Sequence, residues 1–412
     1  MRDVTMIQIS DKNKCCGCTA CVNSCPQKCI EMQYDEEGFL YPFVNLEKCI
    51  ECHACEKICP FYKQEGTRKS QSLYCAAQYL NEEKRMTSTA GGAFSLIADA
   101  LIEQNAVVYA VGYDNMVVCH KRVTTQDALL ELRGSKYVQS DLKNCFANIK
   151  KDLKNGRKVL FAGTPCQVQG LKNYINNDEN LYLIDLLCLG VSSPGLFAEY
   201  IEYLNSKYQN AVKEVQFRNK HYGYATPNIR VCFEDGKYIE QTYDSRVHAN
   251  LFFKHYYNTR PSCYECQFRE IPRVSDFTIG DFTEIGQESK KMDDDKGTTK
   301  LWVHSEKGKK LLNAVKEKNN ILILEDKVSN IVGGPKKQIK KPRNRQEFFD
   351  DFQIMSYVEL IKKWEPRTIK GDIIGIARKI INKTPCRSFI FKTMRAVKRR
   401  KYHKQVDGLN NK

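Results

Sequence analysis

The sequence predicts two folds in tandem: a small α+β ferredoxin-like module built to hold two metal clusters, then an α/β domain with a mainly parallel sheet, an antiparallel addition and a basic helical C-terminal tail. Three observations predict this. The run Cys15-x2-Cys18-x2-Cys21-x3-Cys25-Pro26 recurs as Cys49-x2-Cys52-x2-Cys55-x3-Cys59-Pro60. From Leu73 to about Glu325, strand patterns alternate with helical ones. From Ile331 to Lys412, 22 Lys and Arg stand against 7 Asp and Glu, a net of +15 out of +16 for all 412 residues.

Each cysteine run is a complete iron–sulfur signature. The C-x2-C-x2-C spacing lets one tight loop present three thiolates to one cube. The fourth cysteine, followed by a proline that ends the helix, serves the other cube. Cys15, Cys18, Cys21 and Cys59 are therefore expected to hold one 4Fe-4S cluster, and Cys49, Cys52, Cys55 and Cys25 a second. Zinc would need C-x2-C pairs with a longer insert and four ligands in all, which eight cysteines with two prolines in register fit poorly. Between the runs, residues 29–32 and 39–42 flank Asp35-Glu36-Glu37-Gly38, a hairpin with turn residues at its tip. Cys16 and Cys29 are left over and read as small buried hydrophobes. The module spans 1–62, and the polar stretch 63–72 reads as a linker. Nineteen cysteines, no apolar leader ahead of Cys15 and no apolar run near the ~20 residues of a membrane helix point to a reducing cytoplasm, with thiolates kept for metal.

Within 73–330 the elements follow in order. Residues 73–78 form an expected strand and 93–104 a helix behind Ser88-Thr89-Ala90-Gly91-Gly92. Residues 106–112 read as a buried strand, and 142–154 as an amphipathic helix. The strand 158–162 breaks into Gly163-Thr164-Pro165-Cys166-Gln167 and a further helix. The strand 181–187 ends in Cys188-Leu189-Gly190, and Ser192-Ser193-Pro194 caps the helix 195–204. Residues 215–218, 229–233 and 238–243 read as the antiparallel addition, with Glu234-Asp235-Gly236-Lys237 as a hairpin turn.

Cys166, Cys188, Cys263 and Cys266 sit at expected strand-end loops, and such loops converge on one crevice in an α/β sheet. On spacing alone three readings stay open: a further cluster, a zinc or dithiol site at Cys263-x2-Cys266, and unrelated core cysteines. Candidate ligand loops reach the same crevice. Gly91-Gly92 allows close backbone approach and heads a helix, which suits phosphate, although a tight turn would read the same way. Gly134-Ser135-Lys136-Tyr137 offers a turn, a cation and a ring, as an exposed loop also would. Gly163, Thr164 and Gln167 flank Cys166 at a strand-to-helix junction. No G-x-G-x-x-G follows a strand, so a Rossmann nicotinamide site is not supported.

A longer string carries a family resemblance. Ser88-Thr89-Ala90-Gly91-Gly92-Ala93-Phe94, Gly134-Ser135-Lys136-Tyr137-Val138-Gln139-Ser140 and Gly163-Thr164-Pro165-Cys166-Gln167-Val168-Gln169-Gly170-Leu171 appear in that order. Cys188-Leu189-Gly190-Val191-Ser192-Ser193-Pro194, Cys263-Tyr264-Glu265-Cys266 and Ser275-Asp276-Phe277-Thr278-Ile279-Gly280-Asp281-Phe282 follow. From about Leu73 to Glu325 this resembles the coenzyme F420 hydrogenase/dehydrogenase β-subunit family, in which a ferredoxin module ahead is common. The resemblance implies an α/β flavoprotein domain over 73–330. It also implies FAD beside Gly91, Gly92, Gly134, Ser135, Lys136, Tyr137, Gly163, Thr164 and Gln167, and a third 4Fe-4S cluster on Cys166, Cys188, Cys263 and Cys266. The family often has Cys-His-Gly where this chain has Cys188-Leu189-Gly190, so no catalytic proton donor is assigned.

The first 330 residues are nearly neutral, and the charge lies in the tail 331–412. Its basic runs at 336–345 and 398–401, with apolar groups beside basic ones at 373–381 and 389–392, suit a helix on an anionic membrane surface. A solvated basic face or a dock for an acidic electron partner would look alike, and no nucleic-acid reading module is present. The expected function is an iron–sulfur flavoprotein oxidoreductase. It would pass electrons from a ferredoxin-like or other donor protein through 4Fe-4S clusters to FAD and on to a two-electron acceptor. An electron-transfer subunit relaying to a separate catalytic partner is the alternative, and a zinc-bearing binding protein a weaker third. The expected location is cytoplasmic, with a peripheral position at the inner membrane face as the option the tail opens. The tail is expected to be dispensable for cofactor chemistry.

Overall fold

The computed structural model describes residues 11–62, 72–226, 228–269, 273–325 and 339–382, with Ile7, Ile9 and a few positions between 384 and 393. The expected linker, apart from Ser72, and the basic runs at 336–338 and 398–401 lie outside the described residues.

Two short helices shape the cysteine runs, α1 (Ala20–Ser24) and α2 (Ala54–Ile58). Each is entered through a left-handed residue, Thr19 at φ 59° and His53 at φ 57°, so the sequence repeat is also a backbone repeat. Between them β1 (Ile30–Tyr34) and β2 (Leu40–Val44) pair antiparallel, as the turn at 35–38 predicts.

Behind this module come β3 (Leu73–Tyr79), α3 (Glu82–Thr87), α4 (Ala93–Ile102), β4 (Val107–Asp114), β5 (Val117–Val123) and α5 (Cys145–Lys154). Next are β6 (Val159–Ala162), α6 (Pro165–Ile175), β7 (Leu181–Leu186) and α7 (Pro194–Tyr208). The antiparallel addition is a separate three-stranded sheet of β8 (Val212–Asn219), β9 (Asn228–Phe233) and β10 (Tyr238–Glu240). The expected strand 238–243 stops at Glu240 because Thr242 and Ser245 form a capping box that starts α8 (Tyr243–Phe253). After α9 (Pro261–Tyr264), the chain completes the main sheet with β11 (Phe277–Asp281), α10 (Ile285–Glu288), β12 (Thr299–Val303), α11 (Glu306–Glu317) and β13 (Ile321–Glu325).

That sheet has eight strands in the order β13-β3-β12-β11-β7-β6-β4-β5. Its centre, β11-β7-β6-β4, is parallel, and both flanks are antiparallel. The sheet is therefore mixed rather than mainly parallel. On one side β4 turns straight into β5 through Asn115 and Met116, at φ 47° and 63°, the geometry of a primed two-residue hairpin. On the other, β12 and β13 return to flank β3.

The expectation of a separate tail fails from 339 onward. Phe348 and Phe349 on α12 (Arg345–Ile354), and Tyr357, Leu360, Ile361 and Trp364 on α13 (Tyr357–Trp364), are buried in one core with Phe39 of the hairpin, Phe197 and Tyr200 of α7, and Leu251 of α8. Net charge conceals this, because the apolar residues sit on one face of each helix and most of the polar and charged ones on the other. α14 (Ile369–Asn382) follows.

Candidate functional site

The duplicated cysteine runs form two hollows. Cys15, Cys18, Cys21 and Cys59 line one, with Met32, Pro42 and Phe61. Cys25, Cys49, Cys52 and Cys55 line the other. Cys29 joins the second as a fifth thiol, its Sγ 3.4 Å from Cys25 Sγ, so it is not the plain core residue expected. Among the described residues, no three His, Cys, Asp or Glu side chains come close enough to share a single metal ion. Burial raises the Cys21 thiol well above its ordinary range, and Cys18, Cys15 and Cys59 add to the shift. Cys59 is pushed up to about 12, by burial first and then by Cys18 and Cys15. Thiols this dry and this close ionise together only when a cationic centre compensates them, the condition an iron–sulfur cube meets.

The other four cysteines come within electrostatic reach of one another. Cys166 lies in the first turn of α6, Cys188 just past β7, Cys263 on α9 and Cys266 beyond it. Burial pushes Cys188 up to about 12, with Cys166 and Cys266 contributing. Cys263 is raised by burial and then by Cys188, Cys166 and Cys266. Gly190, at φ 132°, is needed here, since a Cβ would stand 3.2 Å from Cys263 Cβ. Cys166 is the exception. A hydrogen bond with Cys16 comes first, and Thr164 Oγ1 at 3.1 Å assists, so its thiol is held down to about 7 despite burial.

Cys16 is the residue that sequence reasoning undervalued. Its thiol interacts with both Cys166 and Cys18, which places it between the first hollow and the third thiol set. Arg260 was also missed, although Arg260-Pro261 heads the Cys263 segment. It is buried, with Nε donating to Cys15 O (2.9 Å), Nη1 to Gln139 Oε1 (2.8 Å), and Nη2 to Leu40 O (3.1 Å) and Cys15 Sγ (3.6 Å). Its guanidinium lies 4.1 Å over the Tyr41 ring. Positive charge is thus fixed between the first and third thiol sets.

A cavity of about 760 Å3 opens at the carboxyl ends of β6, β7 and β11. Gly92, Gly134, Ser135, Lys136, Tyr137, Gly163, Thr164 and Gln167 line it, as do Cys188 and Gly190. Gly91 does not. Its amide donates to Thr299 Oγ1 (2.9 Å), and a Cβ would stand 2.2 Å from Ala77 O, so strand packing demands that glycine. Lys136 donates to Arg133 O (2.8 Å) and Glu131 O (3.0 Å), which commits its ammonium to holding the turn, and burial pushes it down to about 8. Gln167 is a helix cap as well as a lining residue, accepting from Thr164 N (2.9 Å) and donating to Ser140 Oγ (3.0 Å). His120, not foreseen, stacks on Phe161 at 5.0 Å, and its ring nitrogens lie 3.1 Å from Ala162 O and 3.0 Å from Ser140 Oγ. Burial pushes it down to about 4, so it is a neutral, fully bonded part of the wall.

Comparison with known proteins covers the N-terminal module and part of the domain behind it. Residues 14–62 match the 4Fe-4S dicluster domain, and residues 156–327 match the family described as the C terminus of the coenzyme F420 hydrogenase/dehydrogenase beta subunit. Residues 156–327 thus carry a domain of that β-subunit family. The N-terminal module makes this chain an iron–sulfur electron-transfer protein. The match begins at 156, later than the resemblance, which starts near Leu73. Among solved structures, this chain is similar to a chain of the F420-reducing NiFe hydrogenase complex from Methanosarcina barkeri. Identity is 14%, the alignment covers 72% of this chain and 93% of that one, and the TM-score is 0.43. No curated protein sequence matches the chain.

Proposed function

We propose that this chain is an iron–sulfur flavoprotein oxidoreductase, with 4Fe-4S clusters on all three thiol sets and FAD in the cavity. It takes electrons from a ferredoxin-like or other donor protein and delivers them to a two-electron acceptor. Its units are the 1–62 cluster domain and the 73–330 flavin domain, and its location is the cytoplasm. The observation that carries the proposal is the spatial order of the sites. The Cys25, Cys49, Cys52 and Cys55 set is outermost, with Cys52 exposed and the exposed Ile50 on its rim. Phe43 and Leu46, on neighbouring segments, are exposed as well, an apolar surface suited to a docking donor. The Cys15, Cys18, Cys21 and Cys59 set lies deeper, Cys16 links it to Cys166, and Cys188 reaches the cavity wall.

Clusters supply one-electron transfer, and a flavin couples single electrons to a two-electron change. The protein's own groups do the rest. Arg260 offsets thiolate charge, Cys16 and Thr164 hold Cys166, and the turn at Gly134 leaves open space along the cavity. Chemistry within this chain is favoured over relay to a separate catalytic partner by the cavity itself, since about 760 Å3 falls within the roughly 300–1,000 Å3 of small-molecule sites. Membrane contact keeps one support. Ile369, Ile373, Ile376 and Ile380 on α14 are 81%, 60%, 59% and 62% exposed, a stripe at helical spacing in a basic segment. No described helix is long and apolar enough to cross a membrane.

Anaerobic purification of the full chain tests the proposal. Three cubes predict about twelve irons per chain, with flavin bound. Cys263→Ser should remove about four irons and abolish flavin reduction by a dithionite-reduced donor, while the N-terminal cluster signals remain. A protein without flavin, or an iron content that Cys263→Ser leaves unchanged, refutes it.

A further inference from the structure

Among the described residues, three arginines of the cavity lining make no ion pair: Arg133, whose Nη1 donates to Thr87 Oγ1 (3.2 Å), and two with no such bond, Arg246 and Arg378. Arg246 stands on α8 and Arg378 on α14, and both line the cavity. Neither makes an ion pair with a described residue, and Arg246 Nη2 is buried without a hydrogen-bond partner. Burial comes first, and the like charge of Arg378 second, in pushing the Arg246 guanidinium down to about 10. Two unpaired guanidiniums held near each other in a partly dry site are unfavourable unless an anion joins them.

The helix that carries Arg378 is turned inside out. At 3.6 residues per turn, Arg378 lies about half a turn from the stripe of Ile369, Ile373, Ile376 and Ile380. The isoleucines face outward, while Gly375 approaches Gln241 O, 3.7 Å from where its Cβ would stand. The side chains of Gln241 and of Asn382, the last residue of α14, are buried with no hydrogen-bond partner among the described residues. Among the described side chains, α14 turns Arg378 and Asn382 toward the protein and its isoleucine stripe away from it.

We propose that Arg246 and Arg378 form an oxyanion subsite for the phosphate group of a second ligand, the electron acceptor, with α14 as its lid. Two guanidinium forks match the two charges and the paired oxygens of a phosphate, whereas one carboxylate would leave a charge unmatched. The flavin's own pyrophosphate is the other source of this chemistry. Its expected seat is the turn at Gly92 and the start of α4, on the main sheet, while Arg246 and Arg378 come from helices outside that sheet. The subsite's assignment to the acceptor rests on the flavin reading above.

The test titrates inorganic pyrophosphate into the full-length, flavin-loaded protein by calorimetry. Binding is expected, with Arg246→Gln and Arg378→Gln each weakening it at least tenfold, and Arg378→Lys recovering part of the loss. Flavin and iron content should stay unchanged in all three variants, and thermal melting of the ligand-free protein should not fall. Absence of pyrophosphate binding, or equal binding by wild type and variants, overturns the subsite. Loss of flavin in step with loss of pyrophosphate binding assigns the arginines to the cofactor and overturns the second ligand. A chain that never carries flavin yet binds pyrophosphate through both arginines removes the flavin reading and leaves the subsite standing.

Discussion

Glu37→Gln probes how this chain is tied together. Glu37 sits at the tip of the β1–β2 hairpin and Arg345 begins α12, 308 residues later; both are buried. Arg345 Nη1 donates to Glu37 Oε1 at 2.6 Å and Nη2 to Oε2, while Nη2 also donates to Thr259 O (3.0 Å) and Nε to Tyr264 Oη (3.2 Å). One ion pair thus joins the cluster module, the Cys263 segment and the C-terminal helices. Removing one partner of a buried pair strands the other charge, at about 3–5 kcal/mol. At about 1.36 kcal/mol per decade, local opening should become roughly 100- to 5,000-fold more frequent. Amide hydrogen exchange on the holoprotein reads this directly: α12 and the turn at 35–39 should lose protection by that factor, while the centre of the main sheet does not. Glu37→Met combined with Arg345→Met should restore much of the protection, because a buried pair can be replaced by packed apolar groups. Unchanged exchange in Glu37→Gln would falsify the idea that this pair fastens the segments.

Three further outcomes are expected. A chain truncated before Ile339 should lose cooperative folding rather than only a membrane contact, because Phe348, Phe349 and Trp364 belong to the main core; normal melting and cofactor content would contradict that. His120 and His248 are held neutral by burial, down to about 4 and about 3, so between roughly pH 3 and 6.5 the unfolded chain binds protons that the folded one excludes. Stability should fall as pH drops through that window, by about 2 kcal/mol per histidine at pH 5. His248→Phe should remove its share of the difference between urea midpoints at pH 7 and pH 5, and an identical pH dependence in the variant sinks the assignment. Arg260→Met should lower the reduction potential of a cluster on the Cys15 set by on the order of 100 mV, since a cation within about 4–6 Å favours the more negative reduced state. An unshifted potential in an EPR-monitored titration would show that the guanidinium only braces the backbone.

How much was legible differs from element to element. The two N-terminal hollows follow from local spacing, because each run fixes three thiols within a few residues and the proline sends the fourth across. The turns at Gly134 and Gly163 were found where strands meet ligand loops, and both reach the cavity. The mixed sheet was not legible: β5 pairs with its hairpin neighbour, and β12 and β13 pair with strands far along the chain. Gly91 misled because a glycine required for strand packing and one required for a ligand look identical in one dimension.

Composition and short-range spacing by themselves determined that this protein handles electrons, which cysteines share a hollow in the N-terminal module, and that an α/β crevice follows. Those properties depend on residues a few positions apart, where chain geometry leaves little freedom. Only the tertiary structure decided that Cys16 joins two thiol sets, that Arg260 stands between them, that Glu37 pairs with Arg345 and that Arg378 reaches the cavity from a segment that reads as a detached tail. Each of these joins residues more than a hundred positions apart, and such meetings are set by how buried faces pack rather than by any pattern along the chain.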